Sequence, residues 1–556
     1  MGEQSKYSID PKSGFCSETK TFHSLRNKFS LPPPNLSLSF SDYSLTLLRL
    51  SSTPDTPLLT HSSSSSSPGL SRDHLIRRSE NLAASLRHSL PSLSKGDCAI
   101  ILSPSSPRLP ILFFALLSLG VVVSPLNPLA TDAEIRRVVS LCHPAIAFAT
   151  NSVCSSLKLP DLRHKTVVID SPEFEAMEET PAPIGKPVDR GKAVKQGDTA
   201  AILWTSGTTG EAKGAELSHR NLTAALSALN ADRPETEKAA EAVVLYPVPM
   251  YHSYGFVSCL KSVATGEKVV LTEETELPEI LKLVGQFGAT QVSLAPPLVA
   301  LMAKSDDRHD AMMDGCDLAT LKVVTSGGLS LGKSVVQRFR SRFPNLLLAQ
   351  GYGLTETCGV AFRPRCPVEC DRFGSAGRLI ANCEAKIVDP STGLALPPCS
   401  HGELWIRGPM VMKGYIGDKQ GSSSKALDSE GWLRTGDYCY IDSEGYLFVL
   451  DKLQDLIKYK DHLISPGQLE EVLSSHPDII DVVVIPFESE EEASEVPMAL
   501  VVKRPESSID EMQITSFVAK QVEEYKKIRK VSFVDSIPRN PMGKASRKNL
   551  SKLFSS

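Results

Sequence analysis

The amino-acid sequence predicts an α/β protein with a large N-terminal domain of layered α/β subdomains and a small C-terminal α+β domain. Over most of the chain, short apolar runs typical of buried strands alternate with longer amphipathic or polar segments, as α/β layers require. The 556 residues exceed the roughly 250 to 300 at which one hydrophobic core stops growing. Because the pattern changes after about residue 450, we place the domains at residues 1–450 and 451–556.

Apolar periodicity predicts the elements of the N-terminal domain. The Ser- and Pro-rich first 40 residues are not expected to carry chemistry. Helical spacing predicts a helix over residues 73–90, and the apolar run at 111–123 predicts a buried helix that leads into a strand. Further short apolar runs predict strands at residues 99–102, 167–169, 200–203, 243–246, 268–271, 291–294 and 321–324.

The C-terminal domain is predicted from one helix start and the strands that follow it. Ser465 suits an N-cap, Pro466 the first helical position, and Gln468 the second half of a capping box. Strands are predicted at residues 482–485 and 498–502, and helical spacing predicts one amphipathic helix over 514–525. Together these elements make an ordinary domain of about 100 residues.

Composition excludes several classes of function. The 60 Lys and Arg residues against 64 Asp and Glu residues give a net charge of -4, which argues against nucleic-acid binding. The 12 cysteines form no CxxC pair, so a reducing, cytoplasmic compartment is expected. No apolar run reaches the roughly 20 residues that a membrane span needs. A peroxisomal address is the alternative, because Ser551-Lys552-Leu553 is present, although three residues follow it.

A glycine- and threonine-rich loop is the strongest single signal for chemistry. It occupies residues 205–214, directly after an apolar strand that we expect to end at Trp204. Glycines let the backbone curl around a ligand, hydroxyls donate hydrogen bonds, and Lys213 adds a positive charge, which together suit a polyphosphate. The spacing differs from a Walker loop, because Lys213 follows Gly210 by three residues.

A serine hydrolase is an alternative interpretation of another segment. Residues 328–332 read GLSLG, which fits the G-x-S-x-G pattern with Ser330 as nucleophile, and His401 and His462 follow downstream. This interpretation leaves the loop at 205–214 without a role.

Six segments, in order along the chain, resemble the adenylate-forming enzymes, and most closely the plant 4-coumarate–CoA ligases and their ligase-like relatives. Besides the loop at 205–214 they are PMYH at 249–252, QGYGLTET at 350–357, GELWIRG at 402–408, WLRTGD at 432–437 and PMGK at 541–544. The resemblance covers about residues 15 to 550. It implies the fold of that family and a ligase that forms an acyl-adenylate from ATP and a carboxylic acid, then the CoA thioester.

The resemblance also implies a nucleotide site. Tyr352 would stack on adenine, Asp437 would accept the ribose hydroxyls, and Glu356 would hold Mg²⁺ across phosphate oxygens. ATP, CoA and a small-molecule acid are the expected partners, and a monomer is favoured. The implied ATP-binding residues are Thr205, Ser206, Gly207, Thr208, Thr209, Lys213, Gln350, Gly351, Tyr352, Thr355, Asp437, Lys452 and Lys544.

Two lysines are implied to serve the two half-reactions in turn. Lys544 would reach the substrate carboxylate and the α-phosphate during adenylation. Rotation of a mobile C-terminal domain about a hinge at residues 451–455 would then bring Lys458 to the site for thioester formation. His252 would line the channel between acid and thiol, although a core histidine bonded to backbone is the alternative.

Departures from the family pattern concentrate on the CoA step. Lys452 stands where arginine is usual and loses the planar fork that grips two oxygens. Lys460 and Asp461 are the implied CoA contacts, but Asp461 replaces a glycine, Leu463 replaces a glutamine, and Glu274 stands where lysine is common. A homologue that stops at the adenylate is therefore an alternative.

The acid pocket is expected to be lined mainly by small residues. Residues 358–361 read CGVA where hydroxycinnamate enzymes have a bulkier segment, which predicts a wider cavity. Aryl-alkenoic acids, fatty acids and cyclopentanone acids of the jasmonate-precursor type all remain candidates. The predicted lining residues are Tyr254, Ser258, Gly327, Gly328, Gly351 and Gly353.

Overall fold

A computed structural model of the chain describes residues 8–51, 57–63, 69–157, 161–181, 193–206, 212–233, 241–305, 310, 313–329, 331–417, 421–460, 462–489, 492, 494–539 and 545–554. It confirms the α/β class. Three large sheets are built from residues before 453, and a smaller sheet with its own core is built from residues after 478.

The largest sheet has seven strands and carries the segment around the glycine- and threonine-rich loop. Its first two pairings are antiparallel and the other four are parallel. The parallel strands Cys98–Leu102 and Ile146–Ala149 are apolar and buried throughout, as expected for strands covered on both faces. In spatial order the strands are Gly414–Tyr415, Ala212–Ser218, Thr199–Ser206, Val122–Leu126, Cys98–Leu102, Ile146–Ala149 and Val167–Val168.

The second sheet has six strands, and every neighbouring pair is parallel. Carboxyl ends of parallel strands meet at one edge of a sheet, where ligand sites form. The turns after Val323–Ser326 and Leu347–Gln350 lie at that edge. In spatial order the strands are Leu347–Gln350, Val323–Ser326, Gln291–Ser293, Val243–Tyr246, Lys268–Leu271 and Leu59–His61.

The third sheet has six antiparallel strands and contains both chain ends of the large region. Two strands from the first 40 residues form its edge, so that segment, for which no chemistry was expected, completes the sheet. Phe362–Arg363 and Arg378–Leu379 form a separate two-stranded ribbon. In spatial order the six strands are Phe15–Cys16, Thr21–His23, Glu384–Val388, Gly402–Arg407, Leu433–Ile441 and Leu447–Lys452.

Helices cover these sheets, and one hydrophobic core joins all three. The helix Arg108–Ser118 is buried over nearly its whole surface, because it is apolar all round. Ser71 caps the helix Arg72–Ser89 by accepting a hydrogen bond from the His74 amide. The other helices before residue 453 are Phe40–Leu50, Asp132–Cys142, Asn151–Ser156, Pro172–Glu179, His219–Ala231, Ser253–Ala264, Leu277–Phe287, Pro296–Met302, Lys333–Arg342, Pro367–Cys370 and Ser422–Ala426. In the described parts of the chain, no helix is long and apolar enough to cross a bilayer.

The C-terminal region folds around separate apolar clusters. Its sheet pairs two long antiparallel strands and adds a third strand in parallel. A short hairpin, Ile457–Tyr459 with His462–Ile464, precedes them. The remaining strands are Ile479–Ser489, Ser494–Lys503 and Lys530–Phe533, and the helices are Pro466–Ser474, Glu511–Ala519 and Arg547–Phe554.

Most predicted elements are found, and two differ from expectation in this region. The helix predicted over 514–525 ends at Ala519. Val522 and Tyr525 still pack on the same core, so their apolar character reflects burial and not a continued helix. Ser465 does cap the helix Pro466–Ser474. Among the described hydrogen bonds, however, the Gln468 side chain does not complete a capping box, and Asp451 instead accepts from the Gly467 amide at 2.8 Å.

A third difference concerns the parallel sheet. The strand predicted at 321–324 runs from Val323 to Ser326, two residues later. Leu321, just before the strand, is also buried. Because a buried apolar residue outside a strand looks like a strand residue in the sequence, the predicted strand began two residues too early. The shift places Thr325 and Ser326 on the strand.

A cluster of buried charges connects the predicted hinge with the C-terminal region. The Arg547 guanidinium contacts Glu470 at 2.8 Å, Asp451 at 3.3 Å and Asp455 at 3.5 Å. Asp451 also accepts from the Ser465 hydroxyl at 3.2 Å. One cation therefore compensates three largely buried carboxylates.

Replacement of Arg547 by Met should destabilise the C-terminal region. Arg547→Met keeps much of the apolar stem but leaves the three carboxylates without their cation, which costs about 3–5 kcal/mol for a buried pair. Urea unfolding of the full chain measures this loss. The control is Arg539→Met, since the ion pair of Arg539 with Asp481 is one-third exposed and is worth about 1 kcal/mol or less. Equal losses in the two variants would contradict this account.

Candidate active site

The predicted phosphate loop is flanked in the sequence by two antiparallel strands of the seven-stranded sheet. Thr205 and Ser206 end one strand, and Lys213 belongs to the next, where it pairs with Thr205 in the register. The strand therefore continues past Trp204, where it was predicted to end. Gly207, Thr208 and Thr209 lie outside the described residues, as does the side chain of Ser206.

Asp437 is the most strongly held carboxylate of the site. It is only 3% exposed. One of its oxygens contacts the Lys452 ammonium at 2.5 Å, and the other accepts from the Tyr352 phenol at 2.6 Å. Asp437 and Lys452 face each other across neighbouring antiparallel strands. The predicted ribose carboxylate, adenine-stacking ring and ribose cation are thus brought together.

This contact sets the charge state of Lys452 and Tyr352. Burial alone would lower the pKa of Lys452, but the Asp437 carboxylate outweighs it and raises the pKa above its ordinary value. Burial, assisted by the charge of Asp437, raises the pKa of Tyr352 well above its usual range. Lys452 is therefore a cation and Tyr352 a neutral hydrogen-bond donor over the physiological range.

Glu356 lies in a short 3₁₀ turn, Thr355–Thr357, and is held by a residue that the sequence did not single out. The Tyr415 phenol donates to Glu356 Oε1 at 2.5 Å. The Lys213 ammonium sits over the Tyr415 ring, 5.2 Å from its centroid. Tyr415 thereby connects the end of the predicted phosphate loop with the predicted metal carboxylate. Burial, with the charge of Glu356, raises the pKa of Tyr415.

The residues around Gln350 form a tight backbone turn. Gln350 ends a strand, and the Gly351 amide donates to the Ser326 carbonyl at 2.9 Å. A Cβ atom on Gly353 would lie 2.3 Å from the Gly359 carbonyl oxygen, so a side chain has no room there. This close approach of two backbone segments explains why glycine is needed at position 353. The explanation does not require Gly353 to line the acid pocket.

His252 caps the helix Ser253–Ala264. Its Nδ1 accepts from the Tyr254 amide at 3.3 Å, so the proton of the neutral ring is on Nε2. Burial lowers the pKa of His252 and keeps the ring neutral. The backbone contact expected for a structural histidine is present. Nearby, the Thr355 hydroxyl donates to the Ser253 hydroxyl at 3.3 Å.

Three hydroxyl groups meet in the region predicted for the acid pocket. The Tyr254 phenol lies 3.1 Å from both Ser293 Oγ and Thr325 Oγ1, which are 2.9 Å apart. We call these three residues the hydroxyl cluster. Ser258 lies one helical turn from Tyr254, and its carbonyl accepts from the Tyr246 phenol. Gly327 and Gly328 follow the strand that carries Thr325.

The predicted CoA residues lie on the short hairpin of the C-terminal region. Lys458 is exposed on the first strand, and Lys460 forms the turn with a positive φ of 51°. Leu463 is 37% exposed on the return strand. Asp461 lies outside the described residues. Glu274 is exposed on the large region, where its amide donates to the Thr272 hydroxyl at 3.1 Å.

Two further predicted residues also lie outside the described residues, namely Lys544 and the Ser330 of the hydrolase interpretation. An isolated β-bridge joins Arg539 and Ala545, the described residues that flank Lys544 in the sequence. Arg547, which contacts the predicted hinge, follows Lys544 by three residues.

Sequence reasoning missed Tyr415, Ser293 and Thr325. Tyr415 is positioned by pairing of Gly414–Tyr415 with the strand that holds Lys213, and no local motif marks such a distant pairing. Ser293 and Thr325 pair across neighbouring parallel strands, where Ser293 is the last residue of its strand and Thr325 the last but one. Hydroxyl residues at the ends of two apolar strands were the signal that could have identified this pair.

Comparison with known proteins decides the family. A model of the AMP-binding enzymes matches residues 50–416, and a model of the AMP-binding enzyme C-terminal domain matches residues 468–544. The chain belongs to the AMP-binding enzymes. A relative, 4-coumarate–CoA ligase-like 9 of Arabidopsis thaliana, is 43% identical over 98% of this chain and 97% of its own length.

Other relatives support an acid–CoA ligase. Peroxisomal OPC-8:0-CoA ligase 1 of Arabidopsis thaliana is 37% identical over 99% of both chains. Among solved structures, the O-succinylbenzoate coenzyme A synthetase of Bacillus subtilis in complex with AMP matches with a TM-score of 0.73 and 26% identity. That alignment covers 91% of this chain and 97% of the synthetase. This AMP-binding enzyme is therefore an ATP-dependent acid–CoA ligase, and the resemblance seen in its sequence is confirmed.

Proposed function

We propose that this ligase activates an aryl-alkenoic acid of the 4-coumarate type, or a bulkier relative, as an acyl-adenylate and then transfers the acyl group to CoA. The hydroxyl cluster of Tyr254, Ser293 and Thr325 is the observation that supports this acid. It supplies polar partners in a region otherwise expected to be lined by small residues.

The numbers of hydrogen-bond donors and acceptors in the cluster favour a ligand that donates a hydrogen bond. Three hydroxyls carry three hydrogens, and each hydrogen has an acceptor within the protein, either another hydroxyl of the cluster or the Val292 carbonyl, which lies 3.5 Å from Thr325 Oγ1. Lone pairs on the hydroxyl oxygens are then left without a donor. A phenolic hydroxyl on the acid can donate to such a lone pair, whereas a methyl group or ring hydrogen in the same place would leave it unmatched.

A cyclopentanone acid is the second candidate. The relative that is 37% identical is named an OPC-8:0-CoA ligase, and its similarity extends over 99% of both chains. A ketone only accepts hydrogen bonds, so one hydroxyl of the cluster would have to turn its hydrogen towards the ligand and give up an internal contact.

In the adenylation step, the nucleotide would replace internal partners of Asp437. Ribose hydroxyls can donate to the two carboxylate oxygens that Lys452 and Tyr352 occupy here. Thr205, Ser206, Gly207, Thr208, Thr209 and Lys213 would surround the β- and γ-phosphates. Because the acid and ATP are both anions, Lys213 and Lys544 must neutralise charge while the carboxylate oxygen is aligned for in-line attack on the α-phosphate.

The residues present fit Mg²⁺ bound together with ATP. Mg²⁺ typically takes one or two protein carboxylates and completes its shell with phosphates and water. Among the described residues, no cluster of three or more His, Cys, Asp or Glu would hold a metal by itself. Glu356 supplies one carboxylate, oriented by the Tyr415 phenol. When bound, Mg²⁺ would neutralise charge on the phosphate oxygens.

The thioester step would use the other face of the C-terminal region. We propose a domain boundary near residue 450 and a hinge at 451–455, where Asp451 and Asp455 contact Arg547. Rotation there would withdraw Lys544 and present Lys458. His252, which is neutral, would line the thiol channel without adding charge.

We propose a cytoplasmic, monomeric enzyme whose partners are the acid, ATP and CoA. A peroxisomal location is the alternative, supported by the name of one relative. Ser551-Lys552-Leu553 lies within the helix Arg547–Phe554. Imaging of the full chain in plant cells, with and without substitutions in this tripeptide, would decide between the compartments.

Substitution of Thr325 tests the proposed acid. Thr325→Val keeps the shape but removes one hydroxyl, so kcat/KM for 4-coumarate should fall about two- to tenfold, the worth of one neutral hydrogen bond. Cinnamate, which lacks the phenolic hydroxyl, is the matched control and should be converted equally well by both proteins. Equal loss for both acids, or a wild-type preference for cyclopentanone acids, would contradict the proposed acid.

Substitution of the two lysines tests the division of labour. Lys544→Ala should lower acid-dependent pyrophosphate exchange about 100-fold or more, because it removes a charge that stabilises the transition state. It should spare CoA transfer from supplied acyl-adenylate. Lys458→Ala should do the reverse. Lys548→Ala, an exposed lysine on the same helix as Arg547, is the control for a general loss of charge. If either variant lost both half-reactions equally, separate roles would be refuted.

A further inference from the structure

The described residues of an acidic segment lie against the turn that carries Lys460. The segment comprises residues 488–495, which read ESEEEASE; Glu488 and Ser489 end one long strand of the C-terminal sheet, and Ser494 and Glu495 begin the next. The glutamates of the segment are Glu488, Glu490, Glu491, Glu492 and Glu495.

Hydrogen bonds from backbone amides and from side chains hold the turn against the described part of this segment. The Lys458 amide donates to Glu495 at 2.7 Å, and the Lys460 amide donates to Ser494 Oγ at 2.9 Å. The Lys460 ammonium contacts Glu492 Oε2 at 2.8 Å, and the Tyr459 phenol donates to the same oxygen at 3.0 Å. Hairpin and segment therefore move together in any rotation about the hinge.

The contact between Lys460 and Glu492 is ionic but weakly held. The hydrogen bond from Lys460, followed by that from Tyr459, lowers the pKa of Glu492, so its carboxylate is ionised. The Lys460 side chain is 54% exposed and that of Glu492 is 33% exposed. Exposed ion pairs of this kind contribute little to stability, so a phosphate can compete for the lysine.

We propose that Glu492 sets the affinity of the ligase for CoA, by competing with a CoA phosphate for Lys460. The inference rests on the proposed role of Lys460 as a CoA contact. A phosphate that reaches Lys460 must displace Glu492 and also approach its negative charge. Glu492 is thus a determinant of CoA affinity and takes no part in adenylation.

Neutralisation of Glu492 should improve CoA binding. Glu492→Gln keeps an oxygen for the Tyr459 phenol but frees the Lys460 ammonium, so the KM for CoA should fall about two- to fivefold, the range of one exposed ion pair. The kcat and the acid-dependent pyrophosphate exchange should not change. Because salt screens exposed charges, the difference should shrink as ionic strength rises.

Three controls separate this contact from a general charge effect. Glu488→Gln removes the same charge from an exposed position on the same segment and should leave the KM for CoA unchanged. In a Lys460→Gln background, Glu492→Gln should have no further effect. Pantetheine, which is an acceptor thiol without phosphates, should react equally well with the wild type and with Glu492→Gln.

The outcomes are distinguishable. An unchanged KM for CoA in Glu492→Gln, an equal change in Glu488→Gln, or an equal gain with pantetheine would each overturn the inference while the ligase function stands. If the wild type released pyrophosphate with its acid but formed no thioester, the proposed thioester step would fail, and with it the role of Lys460.

Discussion

The contact between Asp437 and Lys452 is the constraint on which the rest of the site depends. A nearly buried carboxylate is stable only when its charge is compensated, and here Lys452 and Tyr352 each take one oxygen. These residues come from two strands of the antiparallel sheet and from the turn that follows the parallel sheet. One buried charge therefore holds together the edges of two sheets, at the place where a nucleotide would bind between them.

The strand that carries Lys452, Leu447–Lys452, ends within the proposed hinge. Neighbouring residues of a strand point to opposite faces, and Asp451 accordingly faces away from Lys452. Lys452 faces Asp437 and the proposed nucleotide site, whereas Asp451 contacts Arg547, Ser465 and Gly467 of the C-terminal region. A ribose that binds Asp437 would disturb the contact of Asp437 with Lys452. Lys452 is adjacent in the chain to Asp451, whose contacts hold the C-terminal region. Under the proposed function, this arrangement would link nucleotide binding to the position of the C-terminal region.

The sequence was most informative where a feature depends on residues that are close together in the chain. Apolar runs predicted strands such as Val243–Tyr246 and Lys268–Leu271 at their observed positions, because burial on both faces leaves a continuous apolar run. The family resemblance implied that Asp437, Tyr352 and Lys452 belong to one site, and the structure brings Tyr352 and Lys452 within hydrogen-bonding distance of Asp437. Neither the resemblance nor the local pattern identified partners from distant strands. Tyr415 reaches Glu356 only through sheet pairing, and Glu492 reaches Lys460 only because a hairpin folds against the following strands.

A crystal structure with a non-hydrolysable acyl-adenylate analogue would test the central role of Asp437 most directly. The account predicts that both ribose hydroxyls donate to Asp437, that the adenine packs on Tyr352, and that Lys452 shifts from the carboxylate towards the ribose. A ribose bound away from Asp437, with the contacts to Lys452 and Tyr352 unchanged, would contradict it.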